Sequence, residues 1–279
     1  MPELPEVETI ACGVHARLQS DRILEAWFGS HSEPFRNPPA RQAKGLEGRT
    51  ILAVRRVGKH IALDLGPTPK SAPDAQWIVH LGMTGRLLVT TPSAEVAAHT
   101  HARLTLASGR ELRFVDPRRF GRLEFRDLAP GNANSQAFAA PGAEPLAVGP
   151  EAFAALFRGR KLAIKAALLN QSLLSGVGNI YADESLFRAG IRPRRQAGRL
   201  TRADLERLRV ALVEVLKNAI RLGGSSVSDY VDANGVKGFF QLEHRVYQRT
   251  GQPCLVCRTP IRRITVAGRS THYCPACQQ

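Results

Sequence analysis

The stretch that most constrains this chain is its end: Cys254-x2-Cys257, sixteen residues, then Cys274-x2-Cys277. Each Cys-x2-Cys turn presents two thiolates to one tetrahedral centre, and two such turns complete a four-sulphur zinc site. The alternative is a pair of disulfides, which a reducing compartment disfavours. With all four positions supplied by protein, the zinc has no open coordination site. It therefore stiffens a short hairpin and performs no catalysis. Arg258, Arg262, Arg263 and Arg269 lie between the two pairs, with no acid among them, which suits contact with DNA. The fifth cysteine, Cys12, falls in a helical apolar pattern and is read as a small buried hydrophobe.

The rest of the 279 residues is long enough for two further domains. Lys and Arg number 39 against 24 acids, a net charge of +15 spread along the whole chain. Such a field attracts polyanions. The apolar runs are short, and the one over 162–169 is broken by Lys165, so nothing reaches membrane-spanning length. The first thirty residues carry acids where a secretory signal carries bases. A soluble intracellular protein is expected.

Between residues 23 and 126 the pattern is of short strands separated by GK, GP, SGR and DPRRFG turns. Strands are expected at Ile23–Phe28, 50–56, 60–65, 77–81, Arg86–Thr90, 101–106, Glu111–Val115 and 122–125, which argues for a sandwich or barrel. A helix over 6–18 precedes them, with Val7, Ile10, Ala11, Val14 and Leu18 at helical spacing. Residues 129–150, rich in Ala, Pro and Gly, read as a linker. Beyond them the period turns helical, with helices expected at Pro150–Phe157, 161–170, 179–189 and 201–222. The last opens on a Thr201/Asp204 capping box and is stopped by Gly223 and Gly224. The Ser-, Gly- and Asn-rich stretch 225–241 reads as a mobile loop.

Two short motifs hold latent chemistry. The chain opens MPELPEVETI. Pro5 and the acids at 3, 6 and 8 suit a helix start. With Met1 removed, the Pro2 amine is also a reagent. The other motif, SGVGN at 175–179, sets two glycines before a helix whose N-cap is at or near Asn179, an arrangement that accepts phosphate or merely connects helices.

MPELPEVET, HLGMTGRL (80–87), DPRRFGR (116–122), QSLLSGVGNIYADESLF (171–187) and the four-Cys finger with its Arg269 resemble the formamidopyrimidine-DNA glycosylases over the full length. The resemblance implies an α+β multidomain fold: an N-terminal β-sandwich with flanking helices (2–130), a linker (131–150), a helical helix–two-turns–helix domain (151–240) with a lesion-sensing loop (225–241), and a C-terminal four-Cys zinc finger (241–279). It implies a bifunctional DNA glycosylase/AP lyase. The substrates would be oxidised purines, namely 8-oxoguanine opposite C and formamidopyrimidines, in double-stranded DNA lying across the cleft between domains.

Its residues carry over one by one. Pro2 matches the Schiff-base nucleophile and Glu3 the general acid/base, with Glu6 an acid behind them. Lys59 matches a lysine that reaches active site and DNA. His80 and Lys165 match phosphate-contacting positions, and Asn179 and Arg269 the pair gripping the backbone around the lesion. Met83, Arg118 and Phe120 match the trio that fills the hole left by the flipped base, and Arg122 ends the same DNA-binding motif. Cys254, Cys257, Cys274 and Cys277 match the zinc ligands. One structural zinc, no nucleotide cofactor, no catalytic metal and a monomer in the bacterial cytoplasm are implied. The loop carries VKGFF (236–240) where relatives often carry a GKPGYF-like run, so base recognition departs from the family pattern. Two other readings predict different behaviour: an endonuclease VIII-like preference for oxidised pyrimidines, and a non-catalytic zinc-finger DNA-binding protein.

Overall fold

A computed structural model describes residues 1–129, 135–226 and 230–279. Parts of the expected linker (131–134) and of the expected loop (227–229) lie outside the described residues. The chain divides into two compact units, Met1–Ala139 with Gly223–Gly238, and Ala140–Leu222 with Phe239–Gln279.

The first unit begins with α1 (Leu4–Leu18), whose Val7, Ile10, Ala11, Val14 and Leu18 form the buried stripe. Cys12 lies off that stripe and is exposed, 3.4 Å from Glu8 Oε1, which corrects the expectation that it is buried. Two four-stranded antiparallel sheets follow. One has the order β1 (Ile23–Phe28), β6 (Thr100–Leu106), β7 (Glu111–Val115), β5 (Arg86–Thr90). The other has β2 (Thr50–Val57), β3 (His60–Gly66), β4 (Ala75–His80), β8 (Arg122–Asp127). Both sheets and α1 share one apolar core that includes Leu63, Trp77, Val79, Leu104, Phe114 and Leu123. Each large side chain so buried contributes on the order of 1.5–3 kcal/mol.

The apolar pattern gave no sign of α2 (Pro39–Leu46), because only Gln42 and Leu46 on it are buried. Gln42 is a polar hub. Its amide donates to Asn37 O and Leu123 O, and its carbonyl accepts from Trp77 Nε1 at 3.0 Å. The Pro at its first turn was the available signal. The segment 223–238, expected with the helical domain, belongs to this unit. Val89 N donates to Ala233 O, and Ser225 N donates to Glu6 Oε1.

The second unit contains α3 (Pro150–Phe157), α4 (Ile164–Leu169), α5 (Asn179–Arg188) and α6 (Arg202–Arg221), then the hairpin β9 (Arg262–Val266)–β10 (Arg269–Tyr273). The finger hairpin packs on α5 inside this unit. Residues expected as linker are also bound here, since Ala143 N donates to Leu173 O and Ser175 N to Ala143 O. The α6 capping box is present, Thr201 Oγ1 accepting from Asp204 N and Asp204 Oδ2 from Thr201 N, each at 3.1 Å. α4 starts three residues later than its expected start because Ala163 bridges Gln196 in an extended conformation. Gly178 caps α5, so Asn179 is its first helical residue, which frees the Asn179 side chain for another partner.

Candidate nucleic-acid interface and zinc site

The head of α1 is buried: Pro2 is covered and Glu3 is 6% exposed, while Met1 remains 50% exposed. Glu3 N donates to Glu6 Oε2 at 2.8 Å, and Glu6 Oε1 accepts from Ser225 N at 2.7 Å. Tyr230 OH reaches Glu6 O at 3.4 Å. Burial, and then the neighbouring Glu6 carboxylate, push the Tyr230 phenol well above its ordinary range. Glu6 therefore ties the returning segment to the start of α1. Lys59 follows Gly58, whose φ of +61° makes the tight β2–β3 turn.

Two turns carry the expected wedge. Asp116, fully buried, accepts from Thr84 Oγ1 at 2.6 Å and from Gly121 N at 2.7 Å. One carboxylate thus binds HLGMTGR to DPRRFGR. The turns meet at Gly82, where φ is +63° and an added Cβ would lie 2.5 Å from Gly121 N. Met83 and Phe120, one on each turn, are left 44% and 49% exposed. The Arg118 guanidinium lies 4.7 Å over the Phe120 ring. Arg122 donates to the carbonyls of Arg119 and Gly121, so part of its guanidinium holds the same turn.

His80 faces His60 across β3 and β4, ring centroids 4.7 Å apart. Burial, then the His60, Lys59, Arg122 and Arg36 charges, pull His80 down to about 4. Its imidazole is neutral at pH 7. Gly82 N donates to its Nδ1 at 3.2 Å, which places the ring proton on Nε2. His80, Phe120 and Arg122 line one groove with Arg36, His60 and Phe138, three residues that the sequence analysis did not select.

In the second unit the hairpin turns through Ala267 and Gly268, both at positive φ, and exposes Arg269 at its tip. One residue on, Ser270 O accepts from Asn179 Nδ2 at 3.0 Å and from Lys165 Nζ at 2.7 Å. Lys165 also donates to Thr271 Oγ1 and lies 2.7 Å from Asp183, both side chains being fully buried. A lysine so enclosed does not reach a phosphate, which corrects the expected role of Lys165. Asp183 accepts from His272 N at 2.9 Å, and Glu184 accepts from the amides of Arg245, Val246 and Tyr247. The adjacent acids in YADES were the missed signal: two consecutive carboxylates in a buried helix need partners.

The four cysteine sulphurs lie within 4.8 Å of one another. Cys254 and Cys277 are 3.8 Å apart and Cys257 and Cys274 are 3.4 Å apart. A zinc with Zn–S bonds of about 2.3 Å puts the corners of its tetrahedron about 3.8 Å apart. The amides of Val256 and Cys277 point at Cys254 and Cys274 Sγ, each at 3.4 Å, which favours the thiolates a metal requires. The four residues fit one structural zinc.

Three family profiles match in order: the formamidopyrimidine-DNA glycosylase N-terminal domain over 1–123, its H2TH (helix–two-turns–helix) domain over 141–231, and the zinc finger found in FPG and IleRS over 251–279. A formamidopyrimidine-DNA glycosylase of Solibacter usitatus is 47% identical over all of both chains, and one of Thiobacillus denitrificans is 42% identical, again over both full lengths. A Lactococcus lactis Fpg mutant in complex with Fapy-dG-containing DNA superposes with a TM-score of 0.86 at 33% identity, covering all of both chains. MutM (Fpg) from Thermus thermophilus gives 0.83 at 39%, covering 99% of this chain and 98% of that one. The β-sandwich, the H2TH helices and the four-Cys finger recur together in these relatives along the whole chain, which belongs to the formamidopyrimidine-DNA glycosylase family of base-excision repair enzymes.

Proposed function

We propose that this enzyme removes oxidised purines from duplex DNA and then cuts the strand, using Pro2 as its nucleophile. The observation that carries the reading is the buried Pro2–Glu3 pair at the head of α1, one residue behind an exposed Met1. While Met1 is attached, the proline nitrogen is an amide and inert. Once Met1 is removed, it is a secondary amine with a reference pKa of about 8, and a useful fraction is neutral at pH 7. That amine attacks C1′ as the glycosidic electrons leave with the base, which takes up the proton that the nitrogen gives up. Glu3 protonates the ring oxygen, and the ring opens to an iminium. The iminium acidifies the C2′ proton. Its loss expels the 3′ phosphate, a second elimination expels the 5′ phosphate, and water releases Pro2.

The first unit supplies this chemistry, with Lys59 close enough in space for its charge to act on His80, and supplies the wedge. Met83 and Phe120 fill the space of the extruded base while Arg118 meets its former partner. The second unit supplies the phosphate grip through Asn179 and Arg269. The lesion class draws support from relatives: Lactococcus lactis Fpg has been crystallised with Fapy-dG-containing and with abasic-site DNA. Among the described residues no helix is long and apolar enough to cross a membrane. The reading takes the enzyme to act as a monomer in the bacterial cytoplasm.

The test is borohydride trapping with 8-oxoguanine opposite C, followed by mass mapping of the adduct. An adduct at Pro2 is expected. Adducts with thymine glycol alone point to oxidised pyrimidines. No adduct with either lesion or an abasic site, in protein starting at Pro2, overturns the enzymatic reading.

A further inference from the structure

We infer that the buried Lys165–Asp183 pair is a positioning device for Arg269 and Asn179, and that it acts on DNA through them without touching it. The inference rests on the reading of Arg269 and Asn179 as the phosphate grip.

Lys165 sits in α4 and Asp183 in α5, with their charged groups 2.7 Å apart and neither side chain accessible. A pair buried this deeply is weak evidence for stability, because desolvation offsets most of the attraction. What it does provide is fixed geometry. Lys165 has two further partners, Ser270 O at 2.7 Å and Thr271 Oγ1 at 2.8 Å. Asp183 has His272 N at 2.9 Å. Three consecutive residues of β10 are thus held by one ion pair, beginning immediately after Arg269. Ser270 O takes its second hydrogen bond from Asn179 Nδ2. The same carbonyl therefore carries both lone pairs' worth of donors, one from the clamp and one from a gripping residue.

Arg269 itself stands at the exposed end of a two-residue turn, where a long side chain has wide freedom. Fixing the backbone at its own next residue limits where the guanidinium begins, and sets it at constant separation from Asn179. Without Lys165, Ser270 O loses one donor and Asp183 keeps only the His272 amide and ring as partners. The hairpin tip then loses its registry with the first turn of α5.

The experiment is a double-mutant cycle on the full, zinc-loaded chain, using a duplex with a tetrahydrofuran abasic analogue as the probe. The variants are Lys165→Met, Arg269→Ala and both together. Because Lys165→Met strands a buried carboxylate, a second version replaces the pair at once, Lys165→Met with Asp183→Leu, which keeps apolar volume and removes both charges. Zinc content and thermal midpoint are measured on each.

Wild-type protein that neither binds the probe nor cuts an abasic site defeats the proposed function itself. Given wild-type binding, the expected result is one zinc per chain in every variant. Loss of the pair weakens binding about tenfold to a hundredfold, the scale of one charge-assisted hydrogen bond. In the Arg269→Ala background the further loss is smaller, leaving only the part that acts through Asn179. Full additivity of the Lys165 and Arg269 effects, or wild-type affinity in the pair-to-apolar variant, overturns the inference.

Discussion

Three imidazoles illustrate how single residues set this protein's tolerance of acid. His60, His80 and His244 are each lowered from 6.5 to about 4, chiefly by burial. The unfolded chain takes up these protons near pH 6.5, whereas the folded chain resists them until about pH 4. Stability from this source is complete above about pH 6.5 and falls as the pH drops toward 4. Urea midpoints measured across that window are expected to decline with acid. Flattening the decline at the His80 site by His80→Asn would assign its share. The sequence marked His80 through HLGMTG but left His60 unremarked, because the cross-strand register that pairs them appears only when β3 and β4 are joined. Lys165 shows the reverse case. Its break in the apolar run 162–169 was visible, but a lysine's burial depends on a carboxylate that arrives from another helix, and spacing alone does not announce it.

At the scale of elements, the wedge turns and the finger are each held by one kind of constraint, and each gives a prediction. Gly82→Ala places a methyl group against the Phe120–Gly121 backbone at positive φ. It is expected to cost more than about 1 kcal/mol and to displace Met83 and Phe120 together. Thermal melts and 2-aminopurine fluorescence opposite the lesion report the two effects, and an unchanged fluorescence signal would show that the turns tolerate separation. Removing zinc with a strong chelator is expected to abolish DNA binding, because the hairpin carrying Arg269 loses its closure. Binding should return when zinc is restored to the reduced thiols. Most strands were legible because alternation and turn residues agree along the first unit. α2 was not, since a helix that buries a glutamine and a single leucine leaves no apolar stripe to find. Nor was the true place of 223–238, whose hydrogen bonds to Glu6, Arg17 and Val89 and whose Tyr230 and Ala233 in the first unit's core all involve partners distant in sequence.

The whole molecule carries a formal charge of +15, and its association with DNA should be dominated by displaced counterions. Plots of log affinity against log salt are expected to be linear and steep. Arg269→Ala should reduce the slope by about one, while Phe120→Ala lowers affinity and leaves the slope intact. Equal slopes for all three proteins would mean that Arg269 meets no phosphate. The division of the chain also bears on how it is made. The first unit includes Gly223–Gly238, so a ribosome must deliver the intervening helices before the segment that meets Glu6 emerges. At elongation rates of roughly 5–20 residues per second, the sandwich waits about 5–20 s with the head of α1 lacking its Ser225 contact. The folded unit leaves Met1 half exposed even with Ser225 joined to Glu6, so the terminus stays open to an aminopeptidase after that interval as well as during it.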